Sequence, residues 1–370
     1  MKVIEVFGEP VLSGGQEAFV FEILKNINMK NLHIDCLTAY EWGNESYRQI
    51  VEEHGGTAYE LGLPFQPGKS RMNIVDPFRE FLQNHFYDVV HIHSGSISAL
   101  AVMASVADNA GIKKVIVHSH STGYNDNLKH KVLRFMASLS MKKHVSIYCA
   151  CSKEAAEWKF MPPYARQARI IKNGIDTSRF AFNTAKRNEY RKKLGISETC
   201  FVVGHVGRFS YAKNQTFLIN VFKHLTEEVT DSKLLLIGEG EDRETIETQI
   251  QGLGLTDKVI LTGNVGNVQD YLQAMDVFVF PSHFEGFGIV VLEAQAAGLP
   301  CVVSDCVPQA AGIVDDIVFL NLKDTPVSIW TENIIQFKSY KREDRAELIK
   351  NAGYDIKSTA ETVRKLYLSK

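Results

Sequence analysis

Short runs of apolar, largely β-branched residues alternate with amphipathic stretches of ten or more residues along the chain. In the first half the apolar runs fall at residues 3–7, 34–38, 89–92 and 115–118. In the second half they fall at 201–206, 234–237, 259–261, 277–280 and 301–303. Runs apolar on consecutive positions predict strands buried on both faces, and helices between them predict right-handed βαβ units in parallel sheets. The pattern therefore predicts α/β architecture, doubly wound, twice. The strand rhythm lapses in a charged, helix-forming stretch at 183–194, just after an Asn-Gly-Ile-Asp turn. One domain is expected over 1–182 and a second over 183–354. Ligands of open α/β sheets bind outside the carboxyl ends of the strands, so a cleft shared by two such edges is the expected active site.

Composition narrows this picture. A chain of 370 residues can bury two ordinary cores. With 23% charged residues and a formal net charge of -2, it lacks the basic footprint of a nucleic-acid binder. Six cysteines, with no Cys-x-x-Cys pair, read as reduced core thiols. The N-terminal apolar stretch is too short for a signal peptide, and no run approaches the eighteen apolar residues that cross a bilayer. A cytoplasmic protein is expected, at most peripheral on the membrane.

Candidate chemistry concentrates at 281–300, PSHFEGFGIVVLEAQAAGLP. A strand runs into the turn Gly286, Phe287, Gly288, and an apolar helix follows from Ile289. Such a turn lets backbone approach a ligand, and the first helical N–H groups suit a diphosphate. Glu285 precedes the anion position, and Glu293 lies about one turn into the helix. An acid among Val290, Val291, Leu292, Ala294 and Ala296 is costly to bury without a partner, so a hydroxyl is expected there. Arg208 and Lys213 follow the strand at 201–206, where fixed cations can replace a metal on a leaving diphosphate; solvated loop charges are the plainer reading. Gly14 and Gly15 open the first helix, a second place for backbone to meet phosphate. Gly238-Glu239-Gly240 lacks the third glycine of a dinucleotide fingerprint and reads as a loop beside a nucleoside.

Two histidine pairs, His91 with His93 and His118 with His120, stand at strand ends. Adjacent strands could gather all four, but no acid or cysteine completes a known zinc spacing. Asn173 is expected to serve its turn first, through the positive φ that Asn-Gly favours, and a ligand second. The segment 128–144 carries Lys129, Lys131, Arg134, Lys142 and Lys143 among Leu133, Phe135, Met136 and Leu139. It fits a membrane face or a surface helix over the first sheet equally well.

The spacing of Glu285 and Glu293 resembles the E-x7-E signature of the retaining glycosyltransferases of family GT4, which have the GT-B fold of two Rossmann-like domains. GRFSYAKNQ at 207–215, LLLIGEGEDRETIE at 234–247, IKNGIDTSRF at 171–180 and SGGQE at 13–17 resemble further segments of that family. VIVHSHSTG at 115–123 and SDCVPQAAGIVDDIVFLNL at 304–322 look like the subgroup that builds bacterial capsule and exopolysaccharide. The resemblance implies a metal-independent hexosyltransferase with no cofactor. It would take a nucleotide-sugar donor, UDP by family habit, and a glycan or polyprenyl-diphosphate-linked sugar acceptor. Glu285 would contact the transferred sugar, Glu293 the ribose, and His120 the sugar from the first domain. Gly14, Gly15, Arg208, Lys213, Gly238, Val265, Gly286, Phe287, Gly288 and Ile289 would complete the donor site. The final helix, about 355–370, would pack back on the first domain. Many family members follow the helix with Gly-Gly-x-x-Glu, whereas Ser304 to Gln309 here reads SDCVPQ, so the contact made by that loop glutamate is not carried over to this chain. A nucleotide-sugar epimerase and a binding module without turnover share the architecture.

Overall fold

The computed structural model describes residues 1–12, 14–66, 68–69, 71–120 and 128–369. The chain divides into two compact units, the first formed by 1–174 with 356–370 and the second by 175–355.

The first unit is built on β1 (Lys2–Phe7), β2 (His33–Thr38), β3 (Ala58–Glu60), β4 (Val89–His93), β5 (Lys114–Ser119), β6 (Ile147–Ala150) and β7 (Arg169–Ile170), all parallel in the order β3-β2-β1-β4-β5-β6-β7. Alternation along β1 sorts the two faces: Ile4 and Val6 join a core with Val90, Ile92, Val117 and Leu100, while Val3 and Phe7 join one with Phe19, Ile23 and Leu24. Burial of each such side chain contributes about 1.5–3 kcal/mol. The second core takes in Ile356, Ala360, Val363, Leu366 and Tyr367 from the helix Ile356–Leu368. That helix ends beside Lys114, whose Nζ donates to the carbonyls of Leu366 and Tyr367 at 3.3 and 3.1 Å, satisfying groups the helix leaves open.

The second unit contains β8 (Phe201–Val206), β9 (Ser232–Ile237), β10 (Val259–Leu261), β11 (Val277–Phe280), β12 (Cys301–Ser304) and β13 (Ile317–Leu320), again parallel, in the order β10-β9-β8-β11-β12-β13. The division between units falls at 174/175 rather than 182/183. Phe180 is buried with Ile175 in the second unit's core, and Ile175 N–H donates to the carbonyl of Tyr354 at 2.8 Å. The outgoing and returning chain segments thus run side by side, and the charged helix Thr184–Lys193 comes only after that packing is established.

In each sheet strand order reverses beside the first strand, between β1 and β4 and between β8 and β11. Loops leaving these neighbours diverge and open a crevice at their carboxyl ends.

Candidate active site

At the β8/β11 reversal the loop after β8 is stitched to the loop after β11. Asn214, with φ of +57°, donates from Nδ2 to the carbonyl of Pro281 at 3.1 Å, and His283 N–H donates to the carbonyl of Ala212 at 2.9 Å. Ser304 Oγ donates to the carbonyl of Ser282 at 2.6 Å from below. This bracing sets Lys213 against Glu285: Nζ pairs with Oε2, and the ammonium lies 4.8 Å over the ring centroid of Phe280. Both side chains are largely buried, 23% and 14% exposed. The other Glu285 oxygen accepts from Gly286 N–H at 3.1 Å. Gly288, with φ of +83°, starts the helix Ile289–Ala296, which carries half-buried Glu293 on its second turn. The Phe287 side chain turns away into the core against Tyr354, leaving only its backbone for a ligand.

Arg208 stands apart from the Lys213 and Glu285 pair. Its Nε donates to Glu241 at 2.9 Å, and both side chains are mostly exposed. Beneath it the backbones of two loops touch. A Cβ at Gly238, where φ is +138°, would lie 2.1 Å from the carbonyl oxygen of Gly207, so only glycine permits this approach. Gly238 N–H donates to the carbonyl of Gly263 at 3.1 Å, which brings in the loop carrying half-buried Val265. Arg208, Lys213, Gly238, Glu285, Gly286, Gly288 and Glu293 therefore all lie at or just beyond the carboxyl ends of β8, β9 and β11. Ser304 through Gln309 brings no glutamate to this edge.

In the first unit, Gly14 and Gly15 are exposed at the start of the helix Gly15–Asn26, whose Phe19 reaches under the sheet's carboxyl edge. There parallel register gathers the histidines. His91 faces Glu5 of β1, and His93 faces both Phe7 and His118. Glu5 Oε2 lies 2.7 Å from His93 Nε2, and His93 Nδ1 lies 2.7 Å from His120 Nε2. Tyr367 donates to the other Glu5 oxygen and lies 2.7 Å from His91 Nδ1, while His91 Nε2 is 3.3 Å from His118 Nδ1. His118 is fully buried, as expected of a core residue; His120, one step past β5, is only partly buried. Phe19 packs on both rings at 5.0 Å.

Burial alone would raise the Glu5 carboxyl, but the adjacent imidazoles of His91 and His93 hold it well below the usual carboxylate range. Burial, with help from His91, lowers His93 to about 4, against the pull of Glu5. Burial and neighbouring imidazoles likewise push His118 and His120 well below their ordinary value. Nitrogens of His91, His93 and His118 all lie within 4.8 Å of one another. Both nitrogens of His91 and of His93 are engaged in hydrogen bonds, so a metal there would have to displace them.

The Asn173 expectation needs correction. Neither Asn173 nor Gly174 has positive φ. Glycine is required there because a Cβ would meet Ile356 Cα at 2.7 Å, so the turn exists to let the final helix pack. Asn173 is buried, and its Oδ1 has no partner among the described residues.

Several residues escaped sequence reasoning. Glu5 supplies the acid missing from the histidine set, and its signal was visible: one carboxylate inside an apolar strand must find a partner. Tyr367 reaches it from the other end of the chain. Glu9 accepts from Ser94 Oγ at 2.7 Å, and buried Lys159 donates to the carbonyl of Gly95, with its ammonium lowered to about 8 by burial. No spacing rule links those four residues.

Residues 13–179 match the family described as Glycosyltransferase Family 4, and residues 186–353 match Glycosyl transferases group 1. The chain is 27% identical over 362 residues to EpsF of Bacillus subtilis (strain 168), a glycosyltransferase by assignment, covering 96% of this chain and 93% of that one. Identity is 35% over 293 residues to the N-acetyl-alpha-D-glucosaminyl L-malate synthase of Bacillus anthracis, covering 70% and 74%. It is 28% over 235 residues, 61% and 60%, to an Escherichia coli UDP-Gal:alpha-D-GlcNAc-diphosphoundecaprenol alpha-1,3-galactosyltransferase. Among solved structures, Anabaena HepE, crystallised with UDP and with UDP-glucose, covers all of both chains at 19% identity, with TM-scores of 0.77 and 0.76. Two parallel Rossmann-like sheets, matches over both halves and a 35% identical relative agree, and the chain belongs to the GT4 family of glycosyltransferases, with the GT-B fold.

Proposed function

We propose that the protein transfers a hexose from a nucleoside-diphosphate sugar, with UDP as the nucleotide, to a lipid-linked glycan acceptor, with retention at the anomeric carbon and without a metal. The observation that carries this reading is Lys213 held against Glu285 beside the helix start at Gly288. A cation, a helix start and an acid at one strand edge suit a diphosphate next to a sugar. UDP in HepE and the diphosphoundecaprenol acceptor of the Escherichia coli relative support the choice of donor and acceptor.

In this reading Arg208 and Lys213 neutralise the leaving diphosphate, and the backbone from Gly286 to Ile289 hydrogen-bonds it. Gly14, Gly15, Gly238 and Val265 border the donor, and Asn173 offers a further contact. Glu293 binds the ribose. Glu285 and His120 hold hydroxyls of the transferred sugar. The bond from the anomeric carbon to the diphosphate oxygen breaks as the acceptor oxygen attacks from the same face. The acceptor's proton passes to the departing phosphate, which balances the step without an enzymic base.

The helix Leu128–His144 supports peripheral membrane contact as part of this function. Leu128, Val132, Phe135, Met136 and Leu139 recur at helical spacing and are all exposed, with Lys131, Lys142 and Lys143 also exposed. A helix that shows its apolar stripe to solvent beside lysines suits an anionic interface. No helix among the described residues is long and apolar enough to cross a membrane.

Thermal-shift screening of nucleotide sugars selects the donor, since a ligand of the folded state raises apparent stability. Transfer to polyprenyl-diphosphate-linked sugars is then measured with and without excess EDTA, and the anomeric configuration is read by NMR. Activity lost in EDTA and restored by Mg²⁺ or Mn²⁺ refutes metal independence. An inverted product refutes retention, and donor isomerised without any acceptor replaces transferase with epimerase.

A further inference from the structure

The hydrogen bonds beneath His120 fix which of its nitrogens carries the proton. An ionised carboxylate only accepts, so Glu5 Oε2, 2.7 Å from His93 Nε2, requires the proton of His93 on Nε2. A neutral imidazole has one N–H, so His93 Nδ1 is an acceptor. His120 Nε2, 2.7 Å away, must then donate to it. This leaves His120 Nδ1 as a bare lone pair, buried and without a partner among the described residues. A second branch from the same carboxylate obeys the same logic. Tyr367 spends its hydroxyl proton on Glu5 Oε1, so His91 Nδ1, 2.7 Å from the Tyr367 oxygen and 3.2 Å from Glu5 Oε2, must be N–H. His91 Nε2 then accepts from His118 Nδ1 at 3.3 Å, and His118 Nε2 is left as a lone pair, also unpartnered. One assignment satisfies every contact with four neutral rings and one charge.

We propose that Glu5 is a positioning residue for sugar transfer: through His93 it locks His120 in the Nε2–H tautomer and so presents Nδ1 as a hydrogen-bond acceptor to a hydroxyl of the transferred sugar. The proposal rests on the reading of His120 as the residue that meets the sugar. The tautomer matters because positive charge develops on the sugar ring as the anomeric bond breaks. An acceptor lone pair beside the ring favours that charge, and an N–H directed at the same place opposes it. Burial of His93, His118 and His120 supports the assignment, since each is held neutral. Glu5 and His93 lie on β1 and β4, whose register sets both side chains, and His120 follows directly on β5.

Long-range ¹H–¹⁵N correlation of the histidine-labelled full chain tests the assignment, with the signals missing from His120→Ala identifying His120. The expected spectrum at neutral pH shows His120 protonated on Nε2 alone. An Nδ1–H tautomer or an imidazolium in the unmodified protein overturns the relay. Glu5→Gln, whose amide can either accept from or donate to His93, is expected to mix the His120 tautomers. It should also lower kcat about tenfold while leaving the UDP dissociation constant within about twofold. The double variant Glu5→Gln/His120→Ala should be no slower than His120→Ala, because the carboxylate acts only through that ring. If Glu5→Gln slows the His120→Ala enzyme as much as it slows the parent, Glu5 acts by another route and the proposal fails. The unmodified spectrum decides the tautomer even if Glu5→Gln does not fold. Full turnover by His120→Ala, with Nε2–H in the spectrum, overturns the placement of His120 on the sugar and not the relay.

Discussion

Lys213 and Glu285 form a largely buried ion pair, and this sets a test of how the two acids of the E-x7-E segment divide their work. The pair is more than three-quarters buried on both sides, and a charge-assisted hydrogen bond of that kind is worth about 1.5–3 kcal/mol. A diphosphate arriving beside Lys213 must share its ammonium with Glu285, and the two anions repel each other. Glu285→Gln removes the competing charge and keeps the shape. Affinity for bare UDP should therefore stay level or tighten, by up to about tenfold if roughly 1.4 kcal/mol of the pair is recovered. Turnover should move the other way. If Glu285 holds the sugar most tightly as the anomeric bond breaks, a loss of roughly 2–3 kcal/mol lowers kcat and kcat/KM together by about thirty- to 150-fold. Glu293→Gln, removing the proposed ribose contact, which does not change during reaction, should weaken UDP and UDP-sugar alike by about 1–3 kcal/mol. Calorimetric titration of UDP into both variants, with steady-state rates, separates these outcomes. If Glu285→Gln weakens UDP as much as Glu293→Gln does, Glu285 binds the nucleotide part and the division of roles is wrong.

His120→Ala should slow turnover about tenfold or more with UDP affinity unchanged, whereas fully buried His118→Ala should lower the melting temperature; an inactive but equally stable His118→Ala shifts the role by two residues. Gly238→Ala forces a Cβ to 2.1 Å from a backbone oxygen at positive φ, and should cost about 3 kcal/mol or more in denaturant unfolding; a wild-type midpoint would mean the two loops do not touch. Lowering the pH should destabilise the fold. His93 drops from 6.5 unfolded to about 4 folded, so below pH 6.5 the unfolded chain takes up a proton that the folded chain refuses until about pH 4. His118 and His120, depressed in the same direction, add to the loss, and Glu5, depressed when folded, adds its own below its ordinary 4.5. Melting temperatures flat between pH 7 and 4 would refute the neutral cluster.

The central strands were legible in the chain because burial on both faces leaves an uninterrupted apolar run. β3 and β7 sit at sheet edges, with three and two residues, too short and too exposed to leave that mark. β6, four residues next to the edge, and β13, an edge strand half-buried throughout, were missed although their runs IYCA and IVFL are apolar. The donor-side residues were readable because they lie within one strand, turn and helix, or in the turn beside it, and local spacing carries their geometry. The histidine cluster was only half readable. The pairs on β4 and β5 showed themselves by position, but Glu5 enters through the β1 and β4 register and Tyr367 from over 360 residues away. Asn173 was misread for the opposite reason, since a local turn rule was applied where tertiary packing decides.

Tyr367 on Glu5 also orders events in time. Emerging from the ribosome, the first 174 residues carry strands, helices and a carboxylate in the middle of β1, but not the helix Ile356–Leu368 that covers it. Until residues 356–367 are made, Glu5 lacks the tyrosine hydroxyl and one face of the sheet lacks its lid of Ile356, Ala360, Val363 and Leu366. The second unit, continuous from 175 to 355, has no such dependence on residues 356–367. A nascent chain can therefore finish its second unit first, and only a chain translated past Tyr367 can close the histidine cluster.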